Sequence, residues 1–218
     1  MRRIARCCAA LVLLWGTHAL AGGPQGVCGN GTPIKFPGTG NIVLNYDLGT
    51  LGSRTKVQAD AFVTNAVSIW TNVSTSSVVL ARGPDMPVDV TTANIATYYP
   101  NTAANTSDGL NPVIYDTDGS IIDSIFGAGA KNNLLGFATA RFVNCQYTEG
   151  VAFVSGFKPV SDTTLGVVFA HEIGHLMGLD HSHHLQPHVP GQVIKHPVLG
   201  DDARIGQSRP QSGHLVGQ

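Results

Sequence analysis

Three histidines in the last third of the sequence are spaced as ligands of one metal ion would be. His171 and His175 are four residues apart, so on a helix they lie one turn above each other on the same face. Gly178 lets the chain leave that helix with positive φ, and His181 follows three residues later. Three neutral imidazoles leave the fourth tetrahedral position of zinc open for water. The spacing therefore predicts a zinc site at His171, His175 and His181.

The residue after the first histidine supplies the proton-transfer group for such a site. Glu172 would lie beside the metal but displaced from the ligand face. Zinc acidifies its water and polarises a carbonyl oxygen, and a nearby carboxylate can take the proton of the attacking water and return it to a leaving amine. The alternative is a core helix with incidental histidines. The pattern fixes five positions, which are those of His171, Glu172, His175, Gly178 and His181. The probability of a chance match at all five in a chain of this length is on the order of one in ten thousand, which argues against that alternative.

The N-terminus has the pattern of a secretory signal peptide. Arg2, Arg3 and Arg6 precede an apolar run over residues 7–15, and small residues follow up to Ala21. We therefore predict cleavage near Ala21 and a secreted, extracellular or periplasmic protein. A buried N-terminal helix is the alternative interpretation.

Composition limits the size of the domain and the kinds of partner. Without the three arginines of the predicted signal, 10 Lys and Arg stand against 14 Asp and Glu, a net charge near −4. Nucleic acid is not an expected partner, because phosphate binding needs clustered basic residues. No later segment offers the roughly 20 apolar residues of a membrane span. About 197 remaining residues suit one domain.

Two cysteines remain after the predicted signal, Cys28 and Cys145. An exported protein enters a compartment that permits disulfides, so one disulfide between them is the first interpretation, and two free thiols are the alternative. Such a bridge would tie the N-terminal arm, residues 22–40, to the middle of the domain. The arm is rich in Gly and Pro and is predicted to be irregular.

Periodicity predicts an α/β chain in which strands and helices alternate. Strands are expected at residues 42–46, 77–80, 88–90, 113–115, 134–143 and 150–154, with a turn over residues 145–149. Helices are expected at residues 55–73, capped by Ser53 or Thr55, at residues 121–126 and at residues 163–177. Residues 92–112 are predicted to form a surface loop. The last helix carries the histidines and ends at Gly178.

Residues 171–181 match the pattern HExxHxxGxxH, which is the metzincin signature, and Ser182 after the third histidine resembles the matrixin branch of zinc peptidases. The order of elements over residues 38–181 is similar to matrixin catalytic domains. This resemblance implies a twisted mixed sheet on two long helices, with zinc on the second helix. It also implies a protein or peptide substrate.

The same resemblance assigns a substrate-binding strand. Residues 134–140 stand where matrixins keep the strand at the sheet edge, with Leu135, Gly136, Phe137 and Ala138 as the expected contacts. A peptide in the cleft would extend the sheet by one strand. Animal matrixins also carry an inhibitory cysteine in a pro-domain. A Cys28 thiolate that caps the zinc is a second alternative to the disulfide.

The C-terminal residues depart from the family. Metzincins place a methionine turn beneath the zinc, and this chain has no methionine after Met177. Residues 182–218 are either a divergent tail or the product of an altered reading frame near His188. No histidine lies between the predicted signal and His171, so a second, structural zinc site cannot be built from imidazoles.

An acidic loop suggests a second metal. Its possible oxygen ligands for calcium surround Gly119 and are Asp116, Asp118, Ser120 and Asp123. An ordinary Asp-Gly turn is the alternative.

Together these observations predict a signal peptide at residues 1–21, the arm at 22–40, a metallopeptidase domain at 41–181 and an atypical tail at 182–218. The predicted function is a secreted zinc endopeptidase. The alternative is a catalytically silent zinc-binding or protein-interaction domain, in which His183 or His184 supplies a fourth ligand.

Overall fold

The computed structural model describes residues 23–38, 41–100 and 108–181. The predicted signal peptide and the tail with His183, His184 and His188 therefore lie outside the described residues. In chain order the elements are β1 (Asn41–Tyr46), α1 (Lys56–Thr71), β2 (Val79–Arg82), α2 (Ile95–Tyr98), β3 (Pro112–Asp116), α3 (Ser120–Phe126), a 3-10 turn (Ala130–Asn132), β4 (Gly136–Val143), β5 (Gln146–Ser155) and α4 (Asp162–Leu176).

The strands form one mixed sheet, in the order β2-β1-β3-β5-β4. The first four strands in this order are parallel to one another, and β4 runs antiparallel to β5 at one edge. The two long helices α1 and α4 pack together on one face of this sheet, and a second apolar cluster covers strand residues of the other face. This confirms the predicted α/β fold of the metzincin type.

Local sequence explains why the two long helices begin where they do. Thr55 caps α1: its side chain accepts from the Gln58 N–H, and the Gln58 side chain accepts in return from the Thr55 N–H. Thr55, one of the two predicted caps, is therefore confirmed. Ser161 caps α4 by accepting from the Thr164 N–H.

Apolar packing between the helices and the sheet fixes the position of α4. Its buried face includes Leu165, Phe169 and Ile173, all fully enclosed. Phe169 stacks on Phe62 of α1 with ring centroids 5.8 Å apart, and the Trp70 indole N–H donates to the Ala170 carbonyl at 2.7 Å. Burial of such side chains contributes roughly 1.5–3 kcal/mol each. In the described part of the chain, no helix is long and apolar enough to cross a membrane.

Three local predictions differ from the structure. Residues 88–90 are not a strand, because the Val90 N–H donates to the Asp47 carboxylate rather than to a neighbouring strand. The predicted loop at 92–112 contains the short helix α2 and the start of β3, and its residues 101–107 lie outside the described residues. The turn predicted over 145–149 is only two residues long: Asn144 and Cys145 both have positive φ, and β5 begins at Gln146.

The N-terminal arm is fastened to the domain. Cys28 and Cys145 form the predicted disulfide, so neither the pair of free thiols nor the thiolate cap applies. Lys35 forms a parallel bridge with Gln146, and the Tyr147 N–H donates to the Lys35 carbonyl at 3.0 Å. The arm therefore runs beside the start of β5.

Candidate metal centre

The structure brings the three predicted histidines to a single point. Helix α4 places His171 and His175 one turn apart, and their Nε2 atoms are 3.0 Å from each other. The Nε2 atom of His181 lies 3.1 Å from that of His175 and 3.2 Å from that of His171. Within the residues that the structure describes, no other group of three or more His, Cys, Asp or Glu side chains is placed to hold a metal ion.

The hydrogen bond of one ring nitrogen of His175 shows that the other ring nitrogen has a free lone pair for a metal. Its Nδ1 lies 2.7 Å from the Leu179 carbonyl oxygen. A carbonyl can only accept, so Nδ1 carries the proton and Nε2 is free to bind a metal. A neutral His175 therefore points a basic nitrogen at the two other rings.

The triangle of nitrogens fits zinc. Bond lengths of 2.0–2.1 Å at tetrahedral angles separate two nitrogen ligands by roughly 3.3 Å, close to the observed spacing. Lone pairs converging at this distance repel each other unless a cation lies between them. The described residues therefore match a three-histidine zinc site in which they leave one tetrahedral position open.

The surroundings keep two of the ligands neutral. Burial lowers the pKa of His171 to about 4, and the neighbouring His175 and His181 act in the same direction. Burial also lowers the pKa of His175, against the opposing effect of its bond to Leu179. Metal binding needs unprotonated imidazole, so both shifts favour it near neutral pH.

Glu172 lies on the inner side of α4, against the edge of the sheet. Its side chain is buried, and this burial raises its pKa to about 8. A dication on the histidines would act in the opposite direction and favour the carboxylate. A Cβ atom on Gly136 would lie only 2.9 Å from the Cγ of Glu172. The start of β4 therefore borders the predicted base directly.

The predicted substrate-binding residues lie at the edge of the sheet. Gly136, Phe137 and Ala138 open β4, which pairs with β5 on one side only among the described strands, and Leu135 directly precedes them. The Ser155 N–H donates to the Leu135 carbonyl at 2.8 Å. Bonded and non-bonded pairs alternate in an antiparallel ladder, so the N–H and C=O groups of Gly136 and Ala138 point away from β5.

The turn between α4 and the third histidine, residues 178–180, is the closing turn of the site. Gly178 has φ of 94°, as predicted, and its N–H donates to the His175 carbonyl at 2.8 Å. The Leu179 N–H donates to the Gly174 carbonyl at 3.0 Å, and the His181 N–H donates to Asp180 Oδ1 at 2.7 Å. These bonds direct the chain back towards the helix that carries the other ligands.

Sequence reasoning missed the contact between this turn and the N-terminal arm. The Gln25 N–H donates to the Gly178 carbonyl and the Asp180 N–H donates to the Gly23 carbonyl, both at 2.8 Å. These hydrogen bonds join backbone groups, so no pattern of side chains in the sequence indicates them. Cys28 was the available signal, since a disulfide to Cys145 brings the arm near β5.

The predicted calcium ligands are not brought together. Asp116 is buried and accepts from the N–H groups of Ile121 and Ile122, and Asp118 accepts from the Ser120 N–H. Asp123 accepts from the Lys131 N–H and forms an ion pair with its ammonium group at 3.4 Å. These carboxylates hold backbone and lysine groups in place, and the calcium ion stays a prediction.

The chain is similar to a known family of metallopeptidases. A family model described as metallo-peptidase family M12B, reprolysin-like, matches residues 61–182, more than half of the chain. The match includes most of α1, all of α4 and all three histidines. It agrees with the metzincin interpretation, but it does not support the matrixin branch. No curated protein and no solved structure gave a match.

Proposed function

The chain belongs to the reprolysin-like metallopeptidases of family M12B, and on this premise we propose that it is a secreted zinc endopeptidase with Glu172 as general base and acid. Three converging Nε2 atoms beside one buried carboxylate are the observation that carries the proposal. A purely structural zinc site needs no base and usually closes with a fourth protein ligand.

The proposed mechanism assigns one task to each side chain. His171, His175 and His181 would hold the metal, and a bound zinc ion would supply Lewis-acid activation of water and of the substrate carbonyl. Glu172 takes the proton of the attacking water. It then delivers this proton to the amine that leaves as the peptide bond breaks. Burial beside Gly136 keeps the carboxylate in place and limits competing water.

Replacing the proposed base by its isostere tests this assignment. Glu172→Gln should lower the rate of casein cleavage by about 10²–10⁴-fold, the usual contribution of a general base, while one zinc ion per chain is retained. Asp162→Asn is the matched control, because Asp162 is an exposed acid on the same helix that pairs with Arg54. It should cleave casein at the wild-type rate.

Two outcomes would contradict the proposal in different ways. Equal cleavage by the wild type and Glu172→Gln would remove Glu172 from the mechanism. A wild type that binds one zinc ion and cleaves neither casein nor a peptide library would favour the silent zinc-binding domain.

We propose that the substrate binds as an added strand on β4. Support comes from the outward backbone groups of Gly136 and Ala138, of which Gly136 borders Glu172. Ala138→Pro would remove one outward N–H without removing a bond to β5. We expect a KM raised about tenfold with little change in kcat, whereas Ala138→Gly, which keeps the N–H, should behave as the wild type. An unchanged KM in the proline variant would exclude this binding mode.

Export is the remaining part of the proposal. The Cys28–Cys145 disulfide supports it, because such bonds persist in oxidising compartments. N-terminal sequencing of the protein recovered outside the cytoplasm should find a first residue close to Gly22. Recovery of the full chain beginning at Met1, in the cytoplasm alone, would contradict export. Calcium is not part of the proposed function, because its predicted ligands serve backbone groups.

A further inference from the structure

The closing turn is held from two sides. On one side, the N–H groups of Gly178 and Leu179 donate to carbonyls of α4. On the other side, the Gly178 carbonyl and the Asp180 N–H bond to the N-terminal arm, and Pro24 lies opposite Leu179 as in an antiparallel ladder. The arm segment, residues 23–25, thus acts as a short strand alongside the turn that leads to His181.

The arm segment is itself anchored. Downstream of it the chain forms its own small ladder, in which the Ile34 N–H donates to the Gly26 carbonyl at 2.9 Å. The Cys28–Cys145 disulfide joins this ladder to the turn before β5. The ring of Tyr147, buried in β5, contacts the closing turn as well: a Cβ atom added at Gly178 would overlap its Cε2. The disulfide therefore connects the turn before β5 covalently to the arm, and the Tyr147 ring connects β5 to the closing turn by packing.

Two of the three zinc ligands depend on the closing turn. His181 follows it directly, and its N–H is bonded to Asp180. The His175 Nδ1–H donates to the Leu179 carbonyl, which fixes the tautomer that leaves Nε2 free for the metal. An arm that fixes the backbone of this turn thus acts on both ligands.

We propose that the arm segment is a positioning element for the metal centre: its backbone pairing with the closing turn, tethered by the Cys28–Cys145 disulfide, holds His181 and the His175 tautomer ready for zinc. The inference rests on the proposed zinc site. It adds that zinc affinity depends on residues near the other end of the chain and on an intact disulfide.

A pair of substitutions at one position separates the backbone bond from the side chain. Gln25→Pro removes the N–H that bonds to Gly178, and Gln25→Ala keeps it. The dissociation constant for zinc is measured by competition with a chromogenic chelator. We expect zinc binding about 10–100-fold weaker in Gln25→Pro, the usual cost of losing a group that orients a ligand, and unchanged in Gln25→Ala.

A double substitution, Cys28→Ser with Cys145→Ser, tests the tether and does not depend on the folding of the proline variant. Zinc binding should weaken in the same direction, and peptide cleavage at saturating zinc should stay within a few-fold of the wild type, because Glu172 and α4 are untouched. Thermal unfolding of each metal-free variant checks that the domain is intact.

The outcomes distinguish this inference from the proposed function. Wild-type zinc affinity in both the proline and the double serine variants would overturn the positioning role and leave the zinc peptidase assignment standing. Equal weakening in Gln25→Ala and Gln25→Pro would also overturn it. A wild type that binds no stoichiometric zinc would overturn the metal site itself, and the positioning role with it.

Discussion

In the part of the chain that the structure describes, two regions carry potential metal ligands close together in sequence, and only one of the two brings its ligands to a single point. At the end of α4, three imidazole nitrogens from residues 171–181 lie within 3.2 Å of one another. In the predicted acidic loop, the structure places Asp116 at the end of β3, Asp118 in the turn after it and Asp123 in α3, and each carboxylate accepts from a different partner. Both regions are short, and both contain a glycine with positive φ.

The difference lies in what directs each side chain. A helix fixes the direction of Cα–Cβ bonds, so a four-residue spacing aims two rings at one point whatever surrounds them. The three carboxylates lie at a strand end, in a turn and on a helix, so no single element aims them at one point, and each accepts from a nearby donor, such as the first N–H groups of α3. Ligand types at plausible spacing are therefore informative when one helix aims two of them and ambiguous when they are spread over several elements.

The largest expected effect comes from removing one helical ligand. His175→Ala should reduce bound zinc from one ion per chain to none under dialysis against a weak chelator, because two nitrogens cannot close the site. Asp118→Asn, from the other region, should retain the full zinc content. Elemental analysis of both dialysed proteins gives the answer. Full zinc content in His175→Ala would mean that the metal binds elsewhere.

Asp47 tests whether a buried carboxylate that accepts from backbone N–H groups is ionised. Asp47 accepts from Leu48, Val90 and Tyr115, and burial raises its pKa to about 6. The folded chain then binds a proton more tightly than the unfolded chain between pH 4 and 6. The contribution of Asp47 to the free energy of unfolding is present below about pH 4. It decreases by on the order of 3 kcal/mol as the pH rises through 6.

Denaturant unfolding of the wild type and Asp47→Asn at several pH values isolates this effect. The amide does not titrate, so the advantage of the wild type over the variant should shrink from pH 4 to pH 7. An advantage that grows with pH would show that the three N–H donors outweigh burial and that the carboxylate is ionised in the fold.

The same contrast explains how much of the molecule could be predicted. The helical spacing of His171 and His175, the capping residue Thr55 and the apolar runs of the central strands are local signals, and the structure agrees with them. The pairing of the arm with the closing turn is a contact between backbone groups about 155 residues apart, and nothing in composition or periodicity encodes it. Residues 88–90 have strand-forming side chains, yet the Asp47 carboxylate takes the Val90 N–H.

The smallest effects belong to the acidic loop, where two neighbouring acids offer a matched pair. Asp116 is buried and satisfies two N–H groups at the start of α3, so Asp116→Ala should lower the free energy of unfolding by about 2 kcal/mol. Asp118 accepts one bond in an exposed turn, so Asp118→Ala should cost less than about 1 kcal/mol.

Calcium separates the two interpretations of this loop. Asp116, Asp118 and Asp123 already accept from backbone N–H groups, so millimolar calcium chloride should leave the melting temperature of the wild type and of both variants unchanged relative to magnesium chloride. A calcium-specific rise that disappears in Asp118→Ala would show that the loop rearranges around a cation, as its sequence suggests. Ligand type would then predict a site spread over several elements as well as it does on α4, and the contrast between the two regions would fail.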